Sequence, residues 1–140
     1  MNIKTDKGES TVDADIVLMA IGRHAFTEGL ALEKAGLKAN NRGQVEINDH
    51  WQTTHPHIYC IGDATTGPML AHKAEEEGLA AIEHILGEGG HVNYEAIPGV
   101  IYTAPEVANV GLSEEQLIEQ GVKYKKGVFP FAANSRAACN

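Results

Sequence analysis

Cysteine is scarce in this chain: 140 residues hold two, Cys60 and Cys139, far apart. They make no C-x-x-C pair, and neither belongs to a cysteine–histidine set at zinc-ligand spacing, so no metal site is expected. The seven histidines are scattered, and only His55 and His57 stand close, flanking Pro56. No apolar run approaches the ~20 residues that a membrane-spanning helix needs. Positive charge is in deficit, with 11 Lys and Arg against 19 Asp and Glu, a formal net charge of −8. That balance, without any basic tract, argues against a nucleic-acid partner. The opening Met1-Asn2-Ile3-Lys4 lacks the cationic-then-apolar character of a signal peptide. No G-x-G-x-x-G occurs, so the usual glycine-rich cradle for a dinucleotide pyrophosphate is missing. What remains is a globular composition, 43% hydrophobic and 21% charged, sufficient for one ordinary domain or for pieces of several.

The stretch from Thr54 to Gly78 carries the most information. An apolar run, Ile58-Tyr59-Cys60-Ile61, has strand length and stops at Gly62-Asp63. Gly67-Pro68 follows, and a helical pattern opens at Met69. Strand, glycine, acid, loop and helix together make a geometry for holding a polar ligand at the carboxyl edge of a sheet. Gly62, without a Cβ, lets backbone and ligand approach. Asp63 can accept hydrogen bonds from ligand hydroxyls. Pro68 suits the start of a helix, and the first amides, Met69, Leu70, Ala71 and His72, are donors at the positive end of a dipole. Taken alone, a Gly-Asp after an apolar run is more often a simple turn than a site.

Elsewhere the signals are local. Residues 2–20 read as a β-hairpin, turning at Asp6-Lys7-Gly8, that feeds a strand. Ile16 to Ile21 is apolar on both faces, as a covered central strand would be. Leu30 to Leu37 reads as a short helix stopped at Gly36, Asn40 to Gly43 as a turn, and Gln44 to Asn48 as a half-exposed strand. Trp51 reads as packing, and Cys60 as a buried structural thiol. In the helix from Met69, Leu70, Ala71, Ala74, Gly78, Ala81, Ile82 and Ile85 form an apolar stripe, with Glu75, Glu76, Glu77 and Glu83 mostly toward water. Gly87 and Gly89-Gly90 stop it. Beyond Asn93 come short β-prone runs at Val100–Tyr102 and Val107–Val110. A capping-box pattern follows at Ser113-Glu114-Glu115-Gln116, with Leu117 and Ile118 facing inward, and then a strand from Tyr124 to Phe131. That order suggests an α+β unit.

Thr54 followed by Ile58-Tyr59-Cys60-Ile61-Gly62-Asp63 resembles the second flavin-binding motif of the pyridine nucleotide-disulfide oxidoreductases. The continuation Gly67-Pro68-Met69-Leu70-Ala71-His72-Lys73-Ala74-Glu75-Glu76-Glu77-Gly78 is similar to one branch of that family, which oxidises dihydrolipoyl groups with NAD+. Glutathione and mercuric reductases share the Gly-Asp but read differently after it. Ala20-Ile21-Gly22-Arg23 followed by Gly29-Leu30 resembles the segment that leaves the family's nicotinamide-binding domain. Ala25-Phe26 stands where relatives often have Pro-Asn, so that loop is expected to differ in detail. Pro105-Glu106-Val107-Ala108 and Phe129-Pro130-Phe131-Ala132-Ala133-Asn134-Ser135-Arg136-Ala137 resemble the opening of the carboxyl-terminal interface domain.

The resemblance implies an α/β fold: a partial FAD/NAD(P)-binding Rossmann-like domain followed by the start of an α+β dimerisation domain. Residues 1–25 would end the NAD-binding domain, 26–93 belong to the central FAD-binding region, and 94–140 begin the interface domain. It implies FAD and NAD as cofactors. Asp63 would hold a ribityl hydroxyl, and the amides of Met69, Leu70, Ala71 and His72 the pyrimidine edge of the isoalloxazine; Gly22 would let NAD approach. Partners would be a second copy, in a homodimer, and the lipoyl-bearing subunits of 2-oxoacid dehydrogenase complexes. The compartment would be the mitochondrial matrix in a eukaryote or the cytoplasm in a bacterium. The family's redox cysteine pair and its acid/base histidine have no counterpart here, so no residue is assigned a catalytic role, and His72 is not a substitute. The chain is therefore expected to be an internal segment, inactive by itself. Two other readings stay open: another flavin disulfide reductase, and a non-catalytic nucleotide-binding or interaction module.

Overall fold

The turn at Asp6-Lys7-Gly8 makes the hairpin that the sequence predicts. Strand β1 (Asn2–Thr5) pairs antiparallel with β2 (Gly8–Thr11), Asn2 opposite Thr11 and Thr5 opposite Gly8. The computed structural model describes residues 1–139, in two compact units, 1–90 and the residues from His91 onward. Each unit mixes helices with short strands.

In the first unit the apolar run after the hairpin is not a strand. Ile16, Leu18, Met19 and Ile21 are exposed, Ile21 at 89%, and no strand pairs with them among the described residues. A two-faced apolar strand exists only with ladder neighbours on both sides, and the described residues provide none. The next two local signals hold. A 3-10 helix spans Leu32–Ala35 and ends at Gly36 in the left-handed conformation. The Asn40–Gly43 turn closes through the Gly43 N–H donating to the Asn40 carbonyl at 2.9 Å. The strand predicted from Gln44 to Asn48 does not form: Gln44 and Val45 are both buried, which breaks the alternation, and pairing is limited to one bridge, Ala39 with Val45. Ile58–Ile61 is likewise extended with a single bridge, Gln52 to Tyr59, extended by the Cys60 N–H donating to the Trp51 carbonyl. Trp51 is buried, as expected of a packing residue.

Helix α1 spans Ala71–Leu86, with Leu70 as its N-cap, so it starts two residues later than the pattern at Met69 predicts. Leu70 is extended and its N–H bonds to the Pro68 carbonyl at 3.1 Å. Pro68 shapes the approach to the helix rather than its first turn. The buried face is also rotated from the predicted one. Lys73, Glu77, Ala80 and Ala81 are buried, while Leu79, Ile82, Ile85 and Leu86 are exposed. Glu75, Glu76 and Glu83 face water as expected, but Glu77, at 1% exposure, does not. The reason is electrostatic: Lys73 and Glu77, four residues apart, pair with each other inside the unit. Gly87 ends α1 in a left-handed cap.

In the second unit β3 (Gly99–Ile101) pairs antiparallel with β4 (Val107–Asn109). Helix α2 (Glu114–Glu119) opens on the predicted capping box: the Ser113 side chain accepts from the Gln116 N–H, and the Gln116 side chain accepts from the Ser113 N–H at 2.8 Å. Leu117 is half-buried but Ile118 is exposed, so only one of the two faces inward. The strand predicted from Tyr124 to Phe131 does not form. Those residues are exposed and without a ladder among the described residues; Phe131–Ala133 is instead a 3-10 turn, followed by α3 (Ser135–Ala138). β-propensity without a partner strand does not make a strand.

Candidate functional site

The site is a loop, Gly62 to Gly67, presented at the amino end of α1. Gly62 has φ +68° and opens a 3-10 turn, Gly62–Ala64. That dihedral lies in the left-handed region, which strongly favours glycine. Asp63 follows and is exposed, whereas Gly62 itself is buried. The loop is tied down on one side by residues 44–45. The Val45 N–H donates to the Ala64 carbonyl at 2.9 Å, the Thr65 hydroxyl to the Val45 carbonyl at 2.9 Å, and the Gln44 amide to the Thr65 carbonyl at 3.2 Å. Thr65 is fully buried. On the other side stands the ion pair of α1, Lys73 Nζ to Glu77 Oε2 at 3.2 Å. Glu77 Oε2 accepts from the Gly62 N–H at 2.7 Å, and Lys73 Nζ donates to the Gly62 carbonyl at 3.1 Å. Sequence reasoning placed Glu77 in solvent and gave Lys73 no role. The signal it could have used was their spacing, one helical turn apart on the same face as Ala80 and Ala81.

The predicted contact residues fall around this loop. Met69 and Leu70 are half-buried in the segment before α1; Ala71 and His72 occupy its first turn. The first-turn amides project along the axis at the positive end of the helix dipole. Gly22 is exposed, and apart from Ile21 and Arg23 no residue comes within 4 Å of the place its Cβ would occupy. A further feature had no sequence signal: Arg23, His24, Arg42 and Gln44 line a cleft of about 470 Å³ with Gly67 and Met69. Two guanidinium groups beside the loop give that cleft the chemistry of an anion acceptor.

Two other predicted features are placed. Cys60 is a free, half-buried thiol whose pKa is raised, chiefly by burial and further by the Glu77 carboxylate, with Lys73 opposing. Cys139 is exposed. Among the described residues no cluster of three or more His, Cys, Asp or Glu could hold a metal ion, and no helix is long and apolar enough to cross a membrane.

An exposed carboxylate, a helix amino end and, at Gly67, a cleft lined by two arginines adjoin this loop, an arrangement suited to a polar ligand with hydroxyl and anionic groups. Comparison with known proteins places the chain in a family. Residues 2–78 match the pyridine nucleotide-disulphide oxidoreductase family, and residues 97–140 match the dimerisation domain of the same family. The chain belongs to that family.

Among individual relatives, it is 54% identical over 142 residues to a dihydrolipoamide dehydrogenase from Chaetomium thermophilum, covering all of this chain and 28% of the relative. A mitochondrial dihydrolipoyl dehydrogenase from Dictyostelium discoideum is 57% identical over 130 residues, covering 93% of this chain and 27% of the relative. The chain thus spans little more than a quarter of the curated relatives it matches. Among solved structures, LpdA from Mycobacterium tuberculosis superposes with a TM-score of 0.82 at 29% identity, over 99% of this chain and 30% of that one. The HOCl-induced flavoprotein disulfide reductase RclA from Escherichia coli gives 0.78 at 28% identity, over 99% and 32%.

Proposed function

We propose that this chain is the flavin-gripping segment of a dihydrolipoyl dehydrogenase, an enzyme that oxidises dihydrolipoyl groups of 2-oxoacid dehydrogenase complexes with NAD+. The observation that carries the reading is the loop itself: fixed from both sides, it presents exposed Asp63 ahead of α1, and its far end, Gly67, lines a cleft with Arg23 and Arg42. Bound there, FAD supplies a two-electron carrier between a dithiol and a nicotinamide.

The residues of this chain divide the binding work. Asp63 accepts a hydrogen bond from a ribityl hydroxyl. Arg23 and Arg42 offer bidentate donors to phosphate oxygens. The amino end of α1, from Ala71 and His72, with Met69 and Leu70 leading into it, borders the pyrimidine edge of the isoalloxazine. Its dipole favours negative charge there and so raises the electron affinity of a flavin so placed. Open space at Gly22 suits the approach of NAD.

In this reading residues 1–25 end the NAD-binding domain, 26–93 belong to the FAD-binding region, and 94–140 begin an interface that pairs with a second copy. Lipoyl-bearing subunits are the partners. Eukaryotic relatives carry "mitochondrial" in their names, which supports a mitochondrial location for a eukaryotic source; the matrix, or the cytoplasm of a bacterial source, follows from the proposed activity. The polypeptide by itself, given FAD, NAD+ and dihydrolipoamide, is expected to form no NADH.

Asp63→Ala in the complete enzyme tests the site. Loss of a charge-assisted bond of about 1.5–3 kcal/mol should leave the variant short of FAD after dialysis. FAD content equal to wild type would remove Asp63 from the site. A second reading, a flavin disulfide reductase with another substrate, draws on the likeness to RclA; turnover of dihydrolipoamide against other dithiols and disulfides separates the two.

A further inference from the structure

Lys73 and Glu77 are the most deeply buried large side chains of the described residues, at 0% and 1% exposure. Removing a lysine and a glutamate from water costs several kcal/mol per ion, and apolar side chains of similar volume often serve stability as well or better. A stabilising role is therefore a weak account of why charges stand here. Their contacts supply a stronger one. Both charged ends meet on Gly62, the carboxylate taking its N–H and the ammonium its carbonyl. The Lys73 stem also runs beneath the far end of the loop: a Cβ built on Gly67 would lie 2.9 Å from Lys73 Cε and 3.5 Å from Nζ. One side chain thus underlies both glycines that bound the loop.

We propose that Lys73 and Glu77 are positioning residues: their ion pair locks the Gly62 backbone and thereby aims the Asp63 carboxylate at the ligand. The proposal rests on the reading of Asp63 as a flavin contact. Neither charged group touches the ligand. Their effect reaches it through the backbone of Gly62, whose direction sets where the next side chain departs. Gly62 at φ +68° opens a short turn; its carbonyl accepts from the Thr65 N–H at 3.3 Å as well as from Lys73, but its N–H takes its bond from the Glu77 side chain. An apolar pair could fill the space but would leave that N–H without its acceptor and the carbonyl with the longer bond alone.

The test uses the complete flavoenzyme carrying this segment, with two charge-neutral double variants so that neither leaves an unpaired buried ion. Lys73→Met/Glu77→Met removes both bonds to Gly62. Lys73→Met/Glu77→Gln restores an acceptor for the Gly62 N–H. Each apoprotein is titrated with FAD by flavin fluorescence, and its thermal midpoint is measured without FAD. We expect FAD affinity to fall in the order wild type, Met/Gln, Met/Met, by about ten-fold at the last step, with the Met/Gln midpoint close to wild type and the Met/Met midpoint lowered by the orphaned Gly62 N–H.

Asp63→Asn separates the proposal from the reading beneath it. If the pair acts through Asp63, adding Met/Met to Asp63→Asn should weaken FAD little further, a non-additive cycle. Unchanged affinity in Met/Met, or full additivity with Asp63→Asn, overturns the positioning role while leaving Asp63 a contact. Unchanged affinity in Asp63→Asn itself sinks the site reading instead. Should Met/Met fail to fold, Met/Gln decides alone: affinity equal to wild type overturns the proposal, and weakening by about three-fold or more supports it.

Discussion

Gly62 and Ala74 approach so closely that a Cβ on Gly62 would lie 3.0 Å from the Ala74 methyl. Loop and helix are therefore in contact at the point where the ion pair of α1 reaches the Gly62 backbone. Gly62 is constrained twice, by its left-handed φ and by this neighbour.

Gly62→Ala should accordingly destabilise the first unit. The left-handed conformation alone costs a non-glycine residue about 1–2 kcal/mol, and the methyl forces either Ala74 or the loop to move. A lowered thermal midpoint together with weakened FAD retention is the expected outcome. A midpoint equal to wild type would show that the loop has slack.

Cys60 gives a pH prediction. Burial, reinforced by Glu77, raises its thiol above the ordinary value of 9.0. Stability linked to the neutral thiol is then fully present below that ordinary value and lost as pH rises through the higher one. Thermal midpoints between pH 8 and 11 should fall less steeply for Cys60→Ala than for wild type, after allowance for its lower starting value. Peptide-resolved alkylation at pH 8 should label the exposed Cys139 well before Cys60. Equal labelling rates would contradict the burial on which the shift depends.

Ser113→Ala removes the side-chain acceptor of the Gln116 N–H, a bond of 3.3 Å at the start of α2. A lost N-cap costs about 1 kcal/mol. Hydrogen exchange at Gln116 should accelerate, and Ser113→Asp should restore protection. Because α2 lies in the second unit, the hairpin β1–β2 should exchange as before.

The features legible in the sequence are those written within a few residues. Asp6-Lys7-Gly8 specifies its hairpin, Gly36 ends its 3-10 helix, and Ser113 with Gln116 makes a capping box without help from distant parts of the chain. Ile16–Ile21 and Tyr124–Phe131 have the composition of strands, but a strand is a relation between segments, and no neighbour is present among the described residues. The loop at Gly62-Asp63 was visible from its punctuation. Its support was not. Within α1, the stripe through Ala74, Gly78, Ile82 and Ile85 and the stripe through Lys73, Glu77, Ala80 and Ala81 have equally helical spacing. Hydropathy favours the first; the need of Gly62 for partners selects the second. Arg23 and Arg42, nineteen positions apart, line one cleft only because the folded chain brings their segments together.

With its amide held by Glu77 and its carbonyl by Lys73 and the Thr65 N–H, Gly62 anchors two successive peptide planes, and neither can flip without giving up a buried bond. The exposed Asp63 side chain is under no such restraint from Gly62. The turn is a still mount for a carboxylate that keeps its own freedom to rotate.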